Sequence, residues 1–260
     1  GQGSGKFFSP VEHIVKLSRL VRARMVQRHV PEGRILDVGC GRGIMLGHLK
    51  DWGYQVDGLE LDTIAGARAS EKLGHKVFER LDDVAESFSG QYKGVCFWHS
   101  LEHLPEPGKA LETADRLLAP GGALIISAPH MESLQSRLSR QQWLHLDLPR
   151  HLIHFDMERL PVFLTSKGYR LIRKTYFSQE YNIIDTLCYG YAKFGLNHLY
   201  PFDLIKNTKR HKPCKQLNPL ETVIGLVLLP LLTGMALFVS NFFSMMGSGS
   251  TATLLLKKSG

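Results

Sequence analysis

The chain has 260 residues, 43% hydrophobic and 22% charged, which is enough apolar material for one full α/β core. Its four cysteines (Cys40, Cys96, Cys188 and Cys214) stand singly, which excludes a disulfide framework and Cys/His zinc spacing and fits a reducing cytoplasm. The net charge of +8 is concentrated: Lys206, Lys209, Arg210, Lys212 and Lys215 share an acid-free stretch without the aromatic interleaving of a nucleic-acid site.

Gly1–Gly5 reads as a flexible leader, and the N-terminal segment carries no apolar signal-peptide core. Apolar residues at Val11, Ile14, Val15, Leu17, Leu20, Val21 and Met25, with Pro10 ahead of them, predict an amphipathic helix over 10–29. Ile35-Leu36-Asp37-Val38 is then an apolar strand that runs into a turn with glycine at Gly39, Gly41 and Gly43. A helix pattern follows at Ile44, Met45, Leu46 and Leu49. A Cβ at any of those glycines would occupy a ligand's space or forbid the turn, and the free N–H groups of the helix start face the same place. Asp37 is an acid where a pyrophosphate site would not want one, and it suits a ligand bearing an ammonium or sulfonium. Turn capping is its alternative use.

Downstream, strands are expected at Gln55–Leu61, Lys76–Glu79, Gly94–Trp98 and Ala123–Ser127, with helices at Ile64–Leu73 and Pro107–Leu118 between them. Pro120-Gly121-Gly122 ends the second helix. Leu160–Lys167 is a further helix, stopped by Gly168, and Tyr169–Tyr176 a further strand. Strands alternating with helices at this spacing predict right-handed βαβ units and a parallel sheet.

Val223–Phe243 is a charge-free run long enough to cross a bilayer, and Thr251–Lys258 behind it reads as the partner of Tyr169–Tyr176. If both strands share one sheet, a single crossing is impossible. The run must turn back, helped by Pro230 and Gly234, lie in the interface, or cross beside a second span. Asp185, Lys193, His198 and Asp203 argue against residues 183–205 as that span. The basic cluster just before the run suits anionic head groups, so the expectation is a monotopic, membrane-dipping insertion. A core helix or a homodimer surface is the alternative cover for it.

Four segments in register resemble the class I S-adenosylmethionine-dependent methyltransferases, over roughly residues 30–180 and 251–258. They are Ile35–Gly43, Gly58-Leu59-Glu60-Leu61, Trp98-His99-Ser100-Leu101-Glu102-His103-Leu104 and Leu117-Leu118-Ala119-Pro120-Gly121-Gly122. The resemblance implies a Rossmann-like fold with seven strands, mostly parallel, the last antiparallel, and S-adenosyl-L-methionine as cofactor. It implies that Glu60 holds the ribose hydroxyls, that Asp82 or Asp83 meets the adenine amino group, and that His99 faces the methionine end. The implied cofactor-binding set is Asp37, Gly39, Cys40, Gly41, Gly43, Glu60, Leu61, Asp82, Asp83 and His99. Glu60 alone would equally suit a dehydrogenase; Asp37 and the Gly-x-Gly-x-Gly form point to the sulfonium cofactor.

Methyl transfer needs an in-line approach and, for a hydroxyl or amine, a base. Candidate bases are His99, Glu102 and His103, and a second group at His145, Asp147, His151 and His154. His151, His99 and His154 are the catalytic candidates, with His151 first because histidine titrates near neutrality. His103, His145 and Arg150 are the substrate-side candidates. Arg150 would bind a phosphate or carboxylate, or pair with Asp147. The stretch Trp143–Phe155 is similar to one in the ubiquinone-type O-methyltransferases. No metal-ligand cluster is apparent.

The organisation expected is therefore a leader and helix over 1–29, a cofactor-binding core over 30–180, a basic and apolar insertion over 181–247, and a closing strand over 248–260. The expected function is methyl transfer to an oxygen of an amphiphilic or lipid-linked acceptor on the cytoplasmic side of a membrane, with no nucleic-acid partner. A soluble-substrate enzyme whose apolar segment is a dimer interface, and a non-catalytic cofactor-binding scaffold, are the alternatives.

Overall fold

A computed structural model describes residues 9–197 and 219–259. The basic cluster between Lys206 and Lys215, with His198, Asp203, Cys214 and Gly1–Gly5, lies outside the described residues. Six strands form one sheet: β1 (Arg34–Val38), β2 (Gln55–Leu59), β3 (Tyr92–Trp98), β4 (Leu118–Pro129), β5 (Tyr169–Thr175) and β6 (Thr251–Lys258). Their order is β2-β1-β3-β4-β6-β5. The first four pair in parallel, and β6 runs antiparallel to both β4 and β5.

The expected seventh strand, Lys76–Glu79, is corrected to a single parallel bridge between Leu59 and Phe78. Two backbone bonds hold it, Glu60 N–H to Phe78 O and Phe78 N–H to Gly58 O. Lys76, Glu79 and Arg80 are exposed, so only Val77 and Phe78 bury apolar surface there before a helix begins at Leu81. Two anchoring residues do not sustain a strand.

Helices cover both faces: α1 (Ser9–His29), α2 (Ile44–Asp51), α3 (Thr63–Leu73), α4 (Leu81–Phe88), α5 (Pro107–Leu117), α6 (Leu134–Ser139), α7 (Arg159–Ser166) and α8 (Gln179–Lys193). Successive strand residues split between the two layers. Ile35, Cys96, Ile125 and Leu255 pack with Ala23 and Val26 of α1 and with Leu46 and Leu49 of α2. Leu36, Val95, Leu124 and Leu254 pack with Leu117 of α5 and Leu164 of α7. Burial on both faces explains why the central strands β3 and β4 carry apolar runs, whereas the edge strand β5, mostly exposed, does not.

The last helix, Pro219–Met245, carries the apolar run. It continues through Pro230, so the chain does not turn back there. The carbonyl that a proline at 230 leaves without its helical partner belongs to Leu226, on the exposed face, and the helix tolerates the loss. Buried residues recur along it at Leu232, Ala236, Ser240 and Ser244, a stripe facing α8. Tyr191 Oη donates to Gly225 O at 2.6 Å and Asn182 Nδ2 to Ser244 Oγ at 2.9 Å. Elsewhere the helix is bare: Val227 is 70% and Phe238 74% exposed.

Candidate active site

The first part of the site is backbone. Gly39, Gly41 and Gly43 have φ of +81°, +56° and +66°, all in the left-handed region that favours glycine. At Gly39 space is denied as well, since a Cβ would stand 2.6 Å from Ser100 Cβ. The turn therefore lies directly against the segment that follows β3. Glu60, half-buried at the end of β2, accepts from Gly41 N–H at 2.8 Å and from Asp62 N–H at 2.9 Å, which fixes both carboxylate oxygens. Asp62 in turn caps α3 through Ile64 and Ala65 N–H.

Asp37 is buried, and its Oδ1 has no hydrogen-bond partner among the described residues. Burial pushes its pKa up to about 7, against the pull of Arg22 and Arg19 on α1. A buried carboxylate oxygen left unsatisfied beside a glycine turn is a place for a cationic ligand to complete. Cys40 is a buried neutral thiol whose pKa is raised by the same desolvation.

The second part is a cluster of imidazoles assembled from distant segments. His99 adopts φ +53°, donates its N–H to Ser127 O, and its ring centroid lies 4.1 Å from that of Tyr181 on α8, the planes tilted by 34°. Its Nδ1 lies 3.4 Å from Oε1 of Glu102, a carboxylate only 1% exposed. The loop between α6 and α7 is tied to the same segment by Leu152 N–H to Glu102 O at 2.9 Å. That tie brings the His151 ring to 4.8 Å from His103 and, on its other side, to 6.3 Å from His145 and 6.1 Å from His154.

Two contacts fix tautomers. With its Nδ1–H donated to His145 O at 2.6 Å, His151 keeps a lone pair on Nε2; His103 does the same with Arg150 O at 2.9 Å. Burial lowers the pKa of His151, so it stands neutral at neutral pH. Burial also raises that of Glu102, against its own backbone hydrogen bond and the pull of His103 and His151. Ligand atoms of Glu102, His103 and His151 lie within 4.8 Å of one another, a grouping that the sequence does not display. A carboxylate and two imidazoles braced on backbone carbonyls could hold a divalent cation or share a proton. Sequence spacing hid this because His151 is separated from Glu102 by 49 positions of chain.

A model of a methyltransferase domain matches residues 12–174. The chain belongs to the methyltransferase-domain family. Curated relatives include ubiquinone biosynthesis O-methyltransferases of Xanthomonas oryzae pv. oryzae, 32% identical over 101 residues (36% of this chain, 42% of the relative), and of Dechloromonas aromatica, 33% over 100 residues (36% and 43%). The chain thus spans less than half the length of the curated relatives it matches. Among solved structures, a SAM-dependent methyltransferase from Archaeoglobus fulgidus shares the fold with a TM-score of 0.56 at 18% identity, over 92% of this chain and 94% of that one. The [4+2]-cyclase SpnF does so with 0.55 at 20%, over 93% and 81%. The mostly parallel sheet flanked by helices is the Rossmann-like fold of these solved structures.

Not every expected residue of the methyltransferase joins the two clusters. Leu61 is 70% exposed. Asp82 and Asp83 open α4 at the surface, where Asp82 pairs with Arg80 across 3.6 Å. Acids in a first helical turn also answer the helix dipole. Arg150 Nη1 donates to Asp147 Oδ2 at 3.1 Å, the second of the two uses its position allowed. Two residues of α8 enter that sequence reasoning passed over, Tyr181 against His99 and Asp185, whose Oδ1 accepts from Leu144 N–H at 3.3 Å. Neither carries a local signal, since both lie on a helix that reads simply as part of the insertion.

Proposed function

We propose that this methyltransferase transfers a methyl group from S-adenosylmethionine to an oxygen of an amphiphilic acceptor at a membrane surface. The observation that carries the reading is the contact of Gly39 with Ser100, which sets the glycine turn against the His99–Glu102 segment. Asp37 receives the cofactor's ammonium on its unpartnered oxygen, and Glu60, braced by Gly41 and Asp62, takes the ribose hydroxyls. Asp82 or Asp83, at the start of α4, takes the adenine amino group. Bound there, the cofactor supplies a methyl group activated by its sulfonium.

The chain's own work is positioning and proton removal. His151 has its Nδ1–H committed to His145 O and a lowered pKa, so its Nε2 accepts the acceptor's hydroxyl proton. Glu102, buried among His99, His103 and His151, offsets the positive charge that then forms. The packed rings of His99 and Tyr181 close one wall against water.

Membrane contact is supported by the apolar helix, of whose most apolar stretch only 22% is buried. Its exposed face includes Val223, Val227, Leu231, Phe238 and Met245. The helix returns directly to β6, and α8, which leaves from β5, has 15 residues or about 22 Å of length, short of a bilayer core. Such a pair lies in the interface rather than spanning.

The experiment is transfer from methyl-labelled S-adenosylmethionine to a membrane extract. Label in the lipid-extractable fraction is expected. Label confined to water-soluble products overturns the amphiphilic acceptor, and no label in either overturns the enzyme.

A further inference from the structure

Beside the crevice, α1 and the sheet enclose a cavity of about 410 Å³ that the cofactor residues do not line. Its floor is a row of neighbours across four strands, Trp98 of β3, Ser127 of β4, Thr253 of β6 and Thr175 of β5. Ser127 Oγ is also 3.3 Å from His99 Nε2, so cavity and crevice share a wall. Val21 and Met25 of α1 and Phe177 make the rest of the apolar surface.

The charge on this cavity has one sign. Arg22, Arg24 and Arg28 reach it from α1 and Arg173 from β5, and no acidic side chain among the described residues lines it. Arg22 lies over the Trp98 ring at 5.1 Å, while Arg24, Arg28 and Arg173 make no hydrogen bond or ion pair with another described residue. Four like charges around a partly apolar space repel one another, an arrangement relieved by an anion entering it. Guanidinium forks match phosphate and carboxylate oxygens two at a time, and Ser127, Thr175 and Thr253 add hydroxyls on the floor. The volume suits a small head group with part of an apolar body.

We propose that this cavity receives the anionic end, a phosphate or carboxylate, of the acceptor whose apolar body lies along Trp98, Met25 and Phe177. The assignment rests on the methyl-transfer reading above and names the acceptor's class: an anionic amphiphile rather than a neutral one. A membrane phospholipid could offer the same head group, so the test separates a single molecule from a bilayer.

Binding of hexyl phosphate, inorganic phosphate and hexanol to the full chain is measured by calorimetry, beside binding of S-adenosylhomocysteine, the demethylated cofactor. Hexyl phosphate is expected to bind about tenfold or more tighter than either fragment, because charge and apolar body are read together. In Arg28→Gln/Arg173→Gln, both exposed positions, that affinity falls about tenfold or more while S-adenosylhomocysteine affinity holds within about twofold; Arg28→Lys/Arg173→Lys recovers part of it. Hexyl phosphate no tighter than inorganic phosphate overturns the proposal, as does affinity untouched by the substitutions. A matching loss of S-adenosylhomocysteine affinity overturns it too, by giving the arginines to the cofactor's carboxylate. Binding only to phosphatidylglycerol vesicles, and not to monomeric hexyl phosphate, overturns it in favour of a bilayer contact. If the wild type binds hexyl phosphate but no S-adenosylhomocysteine, the methyl-transfer reading falls and takes the acceptor role with it, leaving an anion site.

Discussion

The two halves of the sheet achieve function by different means. At β1 and β2, the candidate ligand-facing features are the glycine turn and two carboxylates, Asp37 within β1 and Glu60 just after β2. From the end of β3 across β4, β6 and β5, they are side chains collected from three separated stretches: His99 to His103, His145 to His154, and Tyr181 to Asp185. A cyclase that shares the fold is a reminder that fold does not fix the reaction.

Substitutions can pull the halves apart. The largest effect is expected at His151. Removing the base in His151→Ala lowers kcat by about 10²–10⁴-fold and leaves S-adenosylhomocysteine affinity within about twofold. Its neighbour His154, with a longer 3.2 Å contact to the same carbonyl, should cost far less. An equal loss in both rates would make the loop structural only. In the other half, Gly39→Ala must place a Cβ 2.6 Å from Ser100 at φ +81°, and calorimetry should show cofactor affinity about 100-fold weaker. Gly41→Ala meets open space and pays only for its φ of +56°, about 1–2 kcal/mol, or roughly tenfold.

Asp37 gives the cradle a pH signature. Its pKa stands near 7 in the free protein, and a bound ammonium favours the ionised form. Below that pH the carboxyl must lose a proton before it can pair. Cofactor affinity should therefore fall about tenfold per unit as pH drops below about 7, and level off above it. Asp37→Asn flattens the profile. A profile unchanged by that substitution assigns the titration elsewhere.

The apolar helix is tested at comparable scale. Val227→Lys/Phe238→Lys places two charges on its bare face, away from the Leu232–Ser244 stripe. Sedimentation with vesicles should drop by about tenfold or more, at unchanged cofactor affinity. A loss of solubility relieved by the lysines, with no change in vesicle binding, would instead mark a surface shared with a second copy.

What the sequence made legible follows the same division. The glycines, Asp37 and Glu60 are readable because positive φ and strand-end position constrain residue type within a short window. The central strands are readable because strands buried on both faces must be apolar throughout. Lys76–Glu79 misled because its apolar pair resembles the centre of a short strand, while only Val77 and Phe78 find cover. Pro230 misled because a helix exposed on that side can absorb it. Tyr181, Asp185 and the meeting of Glu102 with His151 left no local trace, since each depends on tertiary contact. The arginine-lined cavity is likewise dispersed, with Arg28 on the first helix and Arg173 on the fifth strand.

Each half holds one fully buried carboxylate with a pKa raised to about 7 by desolvation, and the pair gives the finest test of the contrast. Each keeps one oxygen without a hydrogen-bond partner among the described residues, and that of Asp37 lies beside the glycine turn. Asp185 uses its other oxygen to hold Leu144, pinning the histidine loop to α8. A carboxyl whose pKa is raised on folding costs stability as pH climbs from its unfolded value of 3.8, and the cost is complete above its folded value. Asp185→Asn keeps the acceptor and removes the charge. Between pH 6 and pH 8 its advantage over the wild type should therefore grow by about 1 kcal/mol, or some 2–4 °C in Tm. Saturating S-adenosylhomocysteine should leave that growth unchanged, whereas the corresponding difference for Asp37→Asn should shrink or reverse, because only Asp37 gains a cation. If the cofactor alters both alike, the two halves are coupled through the histidine loop and the division between cradle and acceptor side fails.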